Sequence, residues 1–190
     1  MVPLSDREVG REIIESCRAG DRDAFRVLYD IYKDRVYSVS LYFFHGDEAA
    51  ACDVTQQVFL KLITTIGQFR GDSLFSTWLY RLVVNACRDT ARRRKPMALA
   101  AERARLEDFA IPGSQEDELV REQTARSVRA AVSALPPQFR IAVLLRYFDD
   151  LSYEQMAQVL DCSMGTVASR LSRGHKMLAE HLKNLMRKRD

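Results

Sequence analysis

The stretch SYEQMAQVLDCSMGTVASRLSRG, residues 152–174, decides the fold of this 190-residue chain. Ser152 and Gln155 have the spacing of a capping box, which starts a helix. Apolar residues then recur at helical intervals, at Tyr153, Met156, Ala157 and Leu160. Residues 161–163 interrupt this pattern, and Ser163 can cap a second helix. Two helices joined by about three residues form a helix-turn-helix, whose second helix enters the major groove of DNA.

The second of these helices has two different faces. Its buried stripe is predicted to be Met164, Val167, Ala168 and Leu171. The opposite stripe consists of Thr166, Ser169, Arg170 and Arg173. Hydroxyl and guanidinium groups are the ones that reach base edges and phosphates in DNA. A surface helical hairpin with an ordinary solvated face would show the same pattern, so this stretch alone leaves both interpretations open.

Helical periodicity continues through the rest of the chain. One face of a first long helix carries Phe25, Leu28, Tyr29 and Tyr32 and continues through Val36, Val39 and Phe43. Further helices are predicted over residues 48–66, 75–94, 117–134 and 137–148. The sequence FRGDS at 69–73 contains a glycine break, and no segment alternates as a strand would. The predicted fold class is therefore all-α, with two small helical domains of which the second is a helix-turn-helix.

Charge divides the chain into three parts. Residues 1–97 hold 15 basic and 13 acidic side chains, a net charge of +2, and residues 119–190 hold 12 and 7, a net of +5. Residues 98–118 between them hold 2 basic and 6 acidic side chains, a net of −4, and include Pro112-Gly113. We therefore predict domains at 1–97 and 119–190, joined by an acidic linker at 98–118 that avoids polyanions.

Motifs for catalysis, metals and membranes are missing from the sequence. Four scattered cysteines without a CxxC pair, and three scattered histidines, argue against a zinc site and predict isolated, buried or half-buried thiols in a reducing compartment. The acidic cluster of Asp47, Glu48 and Asp53 could serve a metal-dependent nuclease, but Asp47 and Glu48 suit the first turn of a helix. We expect no catalytic residue, no metal, no cofactor and a cytoplasmic location, since no signal peptide or membrane span is recognisable.

Two segments of the N-terminal half carry candidate binding residues. Along the helix at 75–94, Arg81, Asn85, Arg88 and Arg92 form a polar stripe, and Phe69, Phe75, Trp78 and Tyr80 flank it. Basic groups beside aromatic faces are typical of single-stranded DNA binding, although Trp78 alone fits core packing better. On the preceding helix, Asp53, Gln56, Gln57 and Leu60 share the outer face, as a solvated surface or as a polar-rimmed docking site for a protein.

Three motifs together resemble a known family. They are DVTQQVFLKL at 53–62, FRGDSLFSTWLYRLVVNACRD at 69–89 and LSYEQMAQVLDCSMGTVASRLSRG at 151–174. In this order, with an acidic segment between, they resemble the bacterial RNA polymerase sigma factors of the extracytoplasmic-function (ECF) group of the sigma-70 family. The resemblance extends over about residues 23–182.

The resemblance implies a promoter-specificity subunit with three sets of contact residues. Asp53, Gln56, Gln57 and Leu60 would dock on the clamp helices of the largest subunit of core polymerase. A flipped base of the minus-10 element would sit in a pocket of Phe69, Gly71, Asp72, Ser73 and Phe75, with Lys61, Asn85, Arg88 and Arg92 on neighbouring nucleotides. Ser163, Gly165, Thr166, Ser169, Arg170 and Arg173 would face the minus-35 element. An anti-sigma factor is a further implied partner, and no membrane insertion is expected.

The sequence also departs from the family pattern. Gln57 stands where Glu is usual, Ala168 where many members have Lys or Arg, and Ser163 where Pro is frequent. The first departure removes a charge from the docking face, and the second removes a donor from the DNA-facing helix. The alternative function is a stand-alone helix-turn-helix regulator. We further expect the free protein to be compact, with its two modules held together or held by an inhibitor, because unmasked DNA-binding modules would bind promiscuously.

Overall fold

A computed structural model describes residues 9–94 and 116–187. Within these two ranges the chain forms helices and no strand, which confirms the all-α fold class. The helices are α1 (Arg11–Arg18), α2 (Arg22–Phe43), α3 (Glu48–Thr65), α4 (Phe75–Arg94), α5 (Glu116–Ser133), α6 (Pro137–Tyr147), α7 (Tyr153–Leu160) and α8 (Met164–Arg187). Helices α1–α4 form an N-terminal unit and α5–α8 a C-terminal unit.

The helices of the N-terminal unit begin at side-chain caps and pack along one stripe. Asp21 caps α2 by accepting from the Asp23 amide at 2.8 Å, and Asp47 caps α3 by accepting from the Ala50 amide at 3.0 Å. The buried stripe of α2 is Leu28, Tyr32, Val36, Val39 and Phe43. Tyr29 was predicted on this face but is 45% exposed, because it lies at the edge of the stripe. Its ring packs edge-on against Phe59 of α3, with 4.8 Å between ring centroids.

Helix α1 is an element that the sequence analysis did not predict. It is only eight residues long, and Gly10 precedes it without a side-chain capping hydrogen bond. Its buried residues are Ile14 and Cys17, which pack against the core of the unit. Two apolar positions on one short turn are too weak a periodic signal to identify a helix.

The C-terminal unit contains the predicted helix-turn-helix. Both hydrogen bonds of the capping box at Ser152 and Gln155 are present, and Asp161 ends α7 in the left-handed conformation at φ 52°. Ser163 then caps α8, accepting from the Thr166 amide at 3.2 Å. The connection of three residues, 161–163, is as predicted.

The buried faces of α7 and α8 differ in part from the prediction. Met164 is 51% exposed and Ala168 is exposed, whereas Val167, Leu171 and Gly174 are buried. At Gly174 a Cβ atom would lie 3.1 Å from Cγ2 of Val143, so α8 approaches α6 closely there. Packing against α6 therefore buries positions 167, 171 and 174 of α8. On α7, Tyr153 is 41% exposed, since it lies at the first turn, beyond the residues that cover Met156 and Leu160.

The predicted linker lies almost entirely outside the described residues. Residues 98–115 are in the part of the chain that the structure does not describe, and residues 116–118 already belong to the backbone of α5. The helix therefore begins before the predicted domain boundary at 119, and agrees with the helix start predicted near residue 117.

The two units pack against each other around a buried guanidinium. Arg140 of α6 is 4% exposed and its Nη1 donates to the carbonyl oxygen of Phe43 at the end of α2, at 2.5 Å. Nη1 also lies 2.9 Å from Nε2 of His45, and Nη2 donates to the carbonyls of Ser133 and Leu135, both at 2.7 Å. Burial, with the charge of Arg140, lowers the pKa of His45 to about 4, so the imidazole is neutral and can accept this contact.

Arg140→Ala is expected to destabilise the protein by about 2–4 kcal/mol, because it removes the donor from two buried carbonyl groups and from the partly buried carbonyl of Ser133. Thermal or urea unfolding monitored by circular dichroism measures the loss. Arg146→Ala is the matched control, since Arg146 makes an exposed ion pair with Asp150 at 3.1 Å and one hydrogen bond to the partly buried carbonyl of Leu151 at 3.1 Å, which together contribute about 1 kcal/mol. Equal unfolding midpoints for the two variants would contradict the role given to Arg140.

Candidate functional site

A cavity of about 480 Å³ lies between α1 and the loop that precedes α4. Four of the predicted minus-10 residues line it, namely Phe69, Gly71, Ser73 and Phe75. Gly71 turns the loop at φ 82°, a conformation that glycine adopts without strain. Asp72, also predicted for this pocket, is exposed and does not line the cavity. The volume falls in the range of about 300–1,000 Å³ that small-ligand pockets occupy.

The aromatic residues of this region form the floor of the cavity. Phe69 and Phe75 are 7% and 1% exposed, and their rings pack perpendicular to each other with 5.5 Å between centroids. Trp78 is half-buried beside both, at 5.6 Å from Phe69, as its core interpretation predicted. These rings support the loop. The sequence predicted exposed ring faces on which bases could stack, but Phe69 and Phe75 expose ring edges at most, and Trp78 is half-exposed. Tyr80 was grouped with them wrongly, because it is fully buried and does not line the cavity.

Helix α1 supplies cavity residues that the sequence analysis missed. Arg11, Ile14 and Arg18 line the wall opposite the loop. Arg18 is held by Glu15, with 2.8 Å between Nη1 and Oε1. The signal that could have identified them is the pair of arginines seven residues apart, which share one face of a helix.

The polar stripe of α4 is partly open and partly covered. Arg81, Asn85 and Arg92 are exposed, as predicted, but Arg88 is half-buried. Burial and the nearby positive charge of Arg170 lower the pKa of the Arg88 guanidinium. Arg170 belongs to α8, so the structure brings a predicted minus-10 residue next to a predicted minus-35 residue.

The predicted DNA-facing residues of the helix-turn-helix lie on one side of α8. Gly165, Ser169 and Arg173 are exposed, and Thr166 and Arg170 are half-buried. The hydroxyl of Ser163 is engaged in capping and lies 3.0 Å from that of Thr166. Cys162 Sγ lies 3.8 Å from Nη1 of Arg170.

The outer face of α3 is exposed and includes apolar residues. Asp53, Gln56, Gln57 and Lys61 are exposed, and Leu60 is 65% exposed. Ile63, one turn beyond Leu60, is 52% exposed and was missed by the sequence analysis. Its spacing of three residues from Leu60 was the available signal. Gln57 accepts a hydrogen bond from Arg93 of α4 at 3.1 Å, which connects this face to the basic end of α4.

The remaining chemistry-bearing residues are dispersed over the described helices. Within residues 9–94 and 116–187, no three His, Cys, Asp or Glu side chains come close enough to hold a metal ion. Cys17 and Cys87 are buried, and burial raises the pKa of the Cys87 thiol to about 12. Cys52 is exposed, contrary to the expectation of buried or half-buried thiols, because it lies on the outer face of α3.

Comparisons with known proteins identify the family of this chain. The family model Sigma-70 region 2 matches residues 28–96, and the model Sigma-70, region 4 matches residues 125–178. RNA polymerase sigma-H factor of Pseudomonas aeruginosa is 35% identical over 189 residues, which cover 95% of this chain and 97% of that protein. ECF RNA polymerase sigma-E factor of Escherichia coli K12 is 33% identical over 194 residues, with 97% and 100% covered. The chain belongs to the ECF sigma factors of the sigma-70 family.

Solved structures confirm the fold of this sigma factor. CnrH in complex with the cytosolic domain of CnrY superposes with a TM-score of 0.68 at 22% identity, covering 92% of this chain and 97% of that one. The sigma factor RpoE in complex with the anti-sigma factor NepR from Bartonella quintana gives a TM-score of 0.66 at 23% identity, covering 84% and 96%. Both likenesses concern the arrangement of the helices.

Family membership decides between the functions left open by the sequence. An ECF sigma factor is an initiation factor that acts as the promoter-specificity subunit of bacterial RNA polymerase, so the stand-alone regulator is set aside. Among the described helices of this sigma factor, none combines the length and the apolar character needed to cross a bilayer.

The substitutions Trp78→Ala and Asn85→Ala separate support of the loop from contact with DNA. Trp78→Ala should lower the free energy of unfolding by about 2–4 kcal/mol, because it empties space beside two buried rings. Asn85→Ala should change it by less than about 0.5 kcal/mol, since Asn85 is exposed on α4.

Both variants should impair promoter opening, which permanganate footprinting of the complex with core polymerase measures. An Asn85→Ala protein that opens the promoter as well as the unmodified chain would remove Asn85 from the contact set. An unchanged melting temperature of Trp78→Ala would contradict its supporting role.

Proposed function

We propose that the two helical units divide promoter recognition between them. The N-terminal unit, residues 1–97, docks on core polymerase and melts the minus-10 element, and the C-terminal unit, residues 119–190, reads the minus-35 element. The observation that carries this assignment is the 480 Å³ cavity, which is lined by the loop before α4 and by Phe75, the first residue of α4. A DNA-binding protein that reads only duplex DNA has no need of a cavity next to its basic helix.

Capture of an extruded base explains the construction of this cavity. Removing a base from the stack costs a few kcal/mol, which a fitted pocket offsets through contacts with the base. Buried Phe69 and Phe75 give the cavity an apolar floor, while the backbone around Gly71 and the hydroxyl of Ser73 offer polar groups at its rim. Arg11 and Arg18 of α1 and Arg70 of the loop add positive charge, which suits a ligand that carries phosphates.

Docking on core polymerase is assigned to the outer face of α3. Leu60 and Ile63 form a small exposed apolar patch, and Asp53, Gln56 and Gln57 provide a polar rim. An apolar centre with a polar rim is the usual composition of a protein interface. We propose the clamp helices of the largest subunit as the partner surface, with Gln57 supplying a neutral contact where the family usually has a carboxylate.

Three further properties complete the proposal. The two related structures are complexes with the cytosolic domain of CnrY and with the anti-sigma factor NepR, and we propose an anti-sigma partner for this chain as well. We propose that it has no catalytic activity of its own. We also propose a cytoplasmic location, because a polymerase subunit works where the chromosome is.

Transcription in vitro with purified core polymerase and a randomised promoter library tests the function as a whole. We expect transcripts from a subset of sequences that share two elements, and none from core polymerase alone. Failure of the chain to bind core polymerase, or transcription without sequence preference, would contradict the proposed function.

Leu60→Asp should weaken binding to core polymerase by at least about tenfold, because it places a charge at the apolar centre of the docking face. Fluorescence anisotropy of the labelled sigma factor titrated with core polymerase measures the affinity. Val128→Asp is the control, since Val128 is also an exposed apolar residue, 44% exposed, but lies on α5. An equal effect of both substitutions would argue against α3 as the docking face.

Arg173→Ala should weaken promoter binding by the holoenzyme and reduce the slope of log affinity against log salt by about one, the contribution of one phosphate contact. Lys183→Ala removes the same charge from an exposed position near the end of α8 and should leave the slope unchanged. A slope for Arg173→Ala equal to that of the unmodified chain would show that Arg173 does not contact DNA.

A further inference from the structure

A buried carboxyl group lies at the contact between the two units. Asp149, in the turn between α6 and α7, is 3% exposed. Its Oδ1 accepts a hydrogen bond from the hydroxyl of Tyr80, which is itself fully buried on α4. Its Oδ2 is buried and has no hydrogen-bonding partner in the part of the chain that the structure describes. Ionisation of the carboxyl would place negative charge on this buried oxygen without a hydrogen-bond donor, and it is therefore strongly disfavoured.

The charges around Asp149 come from α2 and α4. Arg35 and Tyr32 of α2 and Tyr80 of α4 are the titratable groups that face it or its hydrogen-bonding partner. Burial raises the pKa of Asp149 to about 7, and the Tyr80 hydrogen bond and the positive charge of Arg35 offset part of the rise. Burial also raises the pKa of Tyr80 well above its ordinary value, so the phenol keeps its proton and remains the donor.

The same contact covers residues proposed to bind DNA. Helix α4 packs against α7, and the ring of Tyr42 on α2 packs against Phe148, with 4.6 Å between centroids. Arg88 of α4 and Arg170 of α8 lie close enough for their charges to interact. Two positive charges near each other repel, so this pair does not stabilise the closed arrangement. Both arginines are half-buried in it.

The closed arrangement is incompatible with simultaneous binding of both promoter elements. As their names state, the elements lie about 25 base pairs apart, which at about 3.4 Å per base pair is roughly 85 Å of duplex. Arg88 and Arg170, assigned to different elements, lie within range of each other's charge in this structure. The units must therefore separate before both elements are bound.

We propose that the buried carboxyl of Asp149, which accepts a hydrogen bond from Tyr80, is a proton-linked latch, which holds the free sigma factor closed with part of its DNA-binding surface covered. The proposal rests on the proposed function, because it takes the covered residues to be the DNA contacts. The latch engages when Asp149 carries a proton, and it is released when the carboxyl ionises and becomes solvated by water in the open state.

The direction of the pH dependence follows from the two states of Asp149. Its pKa is about 7 in the closed state, whereas an exposed aspartate titrates near 4, so closing takes up a proton between these values. Closure is therefore most favourable at low pH and weakens as pH rises through 7. The closing constant should fall by about tenfold between pH 6 and pH 8 and change little at higher pH.

Asp149→Asn in the full-length free chain tests the latch. The amide keeps an oxygen that accepts from Tyr80 but cannot ionise, so at pH 8 the variant should stay closed. Its affinity for promoter DNA at pH 8 should be at least about tenfold below that of the unmodified chain, because apparent affinity scales with the open fraction. The change in affinity that the latch causes between pH 6 and pH 8 should be absent from Asp149→Asn and should remain in the control. Asp150→Asn is that control, since Asp150 is the adjacent, exposed aspartate and pairs with Arg146.

Small-angle X-ray scattering supplies a readout that does not depend on DNA. The radius of gyration of the unmodified chain should increase from pH 6 to pH 8, and that of Asp149→Asn should not. Tyr80→Phe removes the donor and should increase the radius already at pH 6. The proposal is overturned if Asp149→Asn matches Asp150→Asn in both radius and affinity, or if Tyr80→Phe is as compact as the unmodified chain. A latch that operates in scattering while the chain directs no transcription would refute the proposed function alone.

Discussion

The arrangement of this sigma factor depends on a guanidinium buried between its two units. Carbonyl groups from the end of α2 and from the end of α5 accept hydrogen bonds from Arg140. Burying a cation costs several kcal/mol, so the position is tolerated only while all of these acceptors are in place. This requirement fixes α6 against the end of α2, and the turn that follows α6 then brings Asp149 to Tyr80.

Polar contacts at a domain interface have a consequence that apolar contacts lack. Water can replace each of these hydrogen bonds when the units separate, so an interface of this kind opens at smaller cost than a purely apolar one of the same area. The interface therefore combines directional hydrogen bonds, which specify one closed geometry, with apolar contacts such as that between Tyr42 and Phe148.

Within the N-terminal unit, aromatic side chains support the loop that precedes α4. Phe69, Phe75 and Trp78 pack against one another and hold the backbone of the loop over the cavity. Because this support already holds the loop, the segment around Gly71 can present its backbone to a ligand without a further loss of conformational entropy on binding. The exposed apolar residues of α3 do not line this cavity, so the proposed docking on polymerase and the proposed capture of a base use different surfaces of the unit.

The amino-acid sequence by itself determined helices α2 to α8, the caps of α7 and α8 and the helix-turn-helix, because hydrophobic periodicity and capping residues act over a few neighbouring positions. It also located the outer face of α3 and the stripe of α4, and its family motifs identified the class of protein. Tertiary structure alone decided what covers each face. Tyr80 and Met164 were assigned to the wrong surroundings, and the roles of Arg140 and Asp149 were not foreseen, because their burial depends on elements distant in sequence. Periodicity tells which residues share a face of a helix, whereas only the packing of helices tells which faces meet.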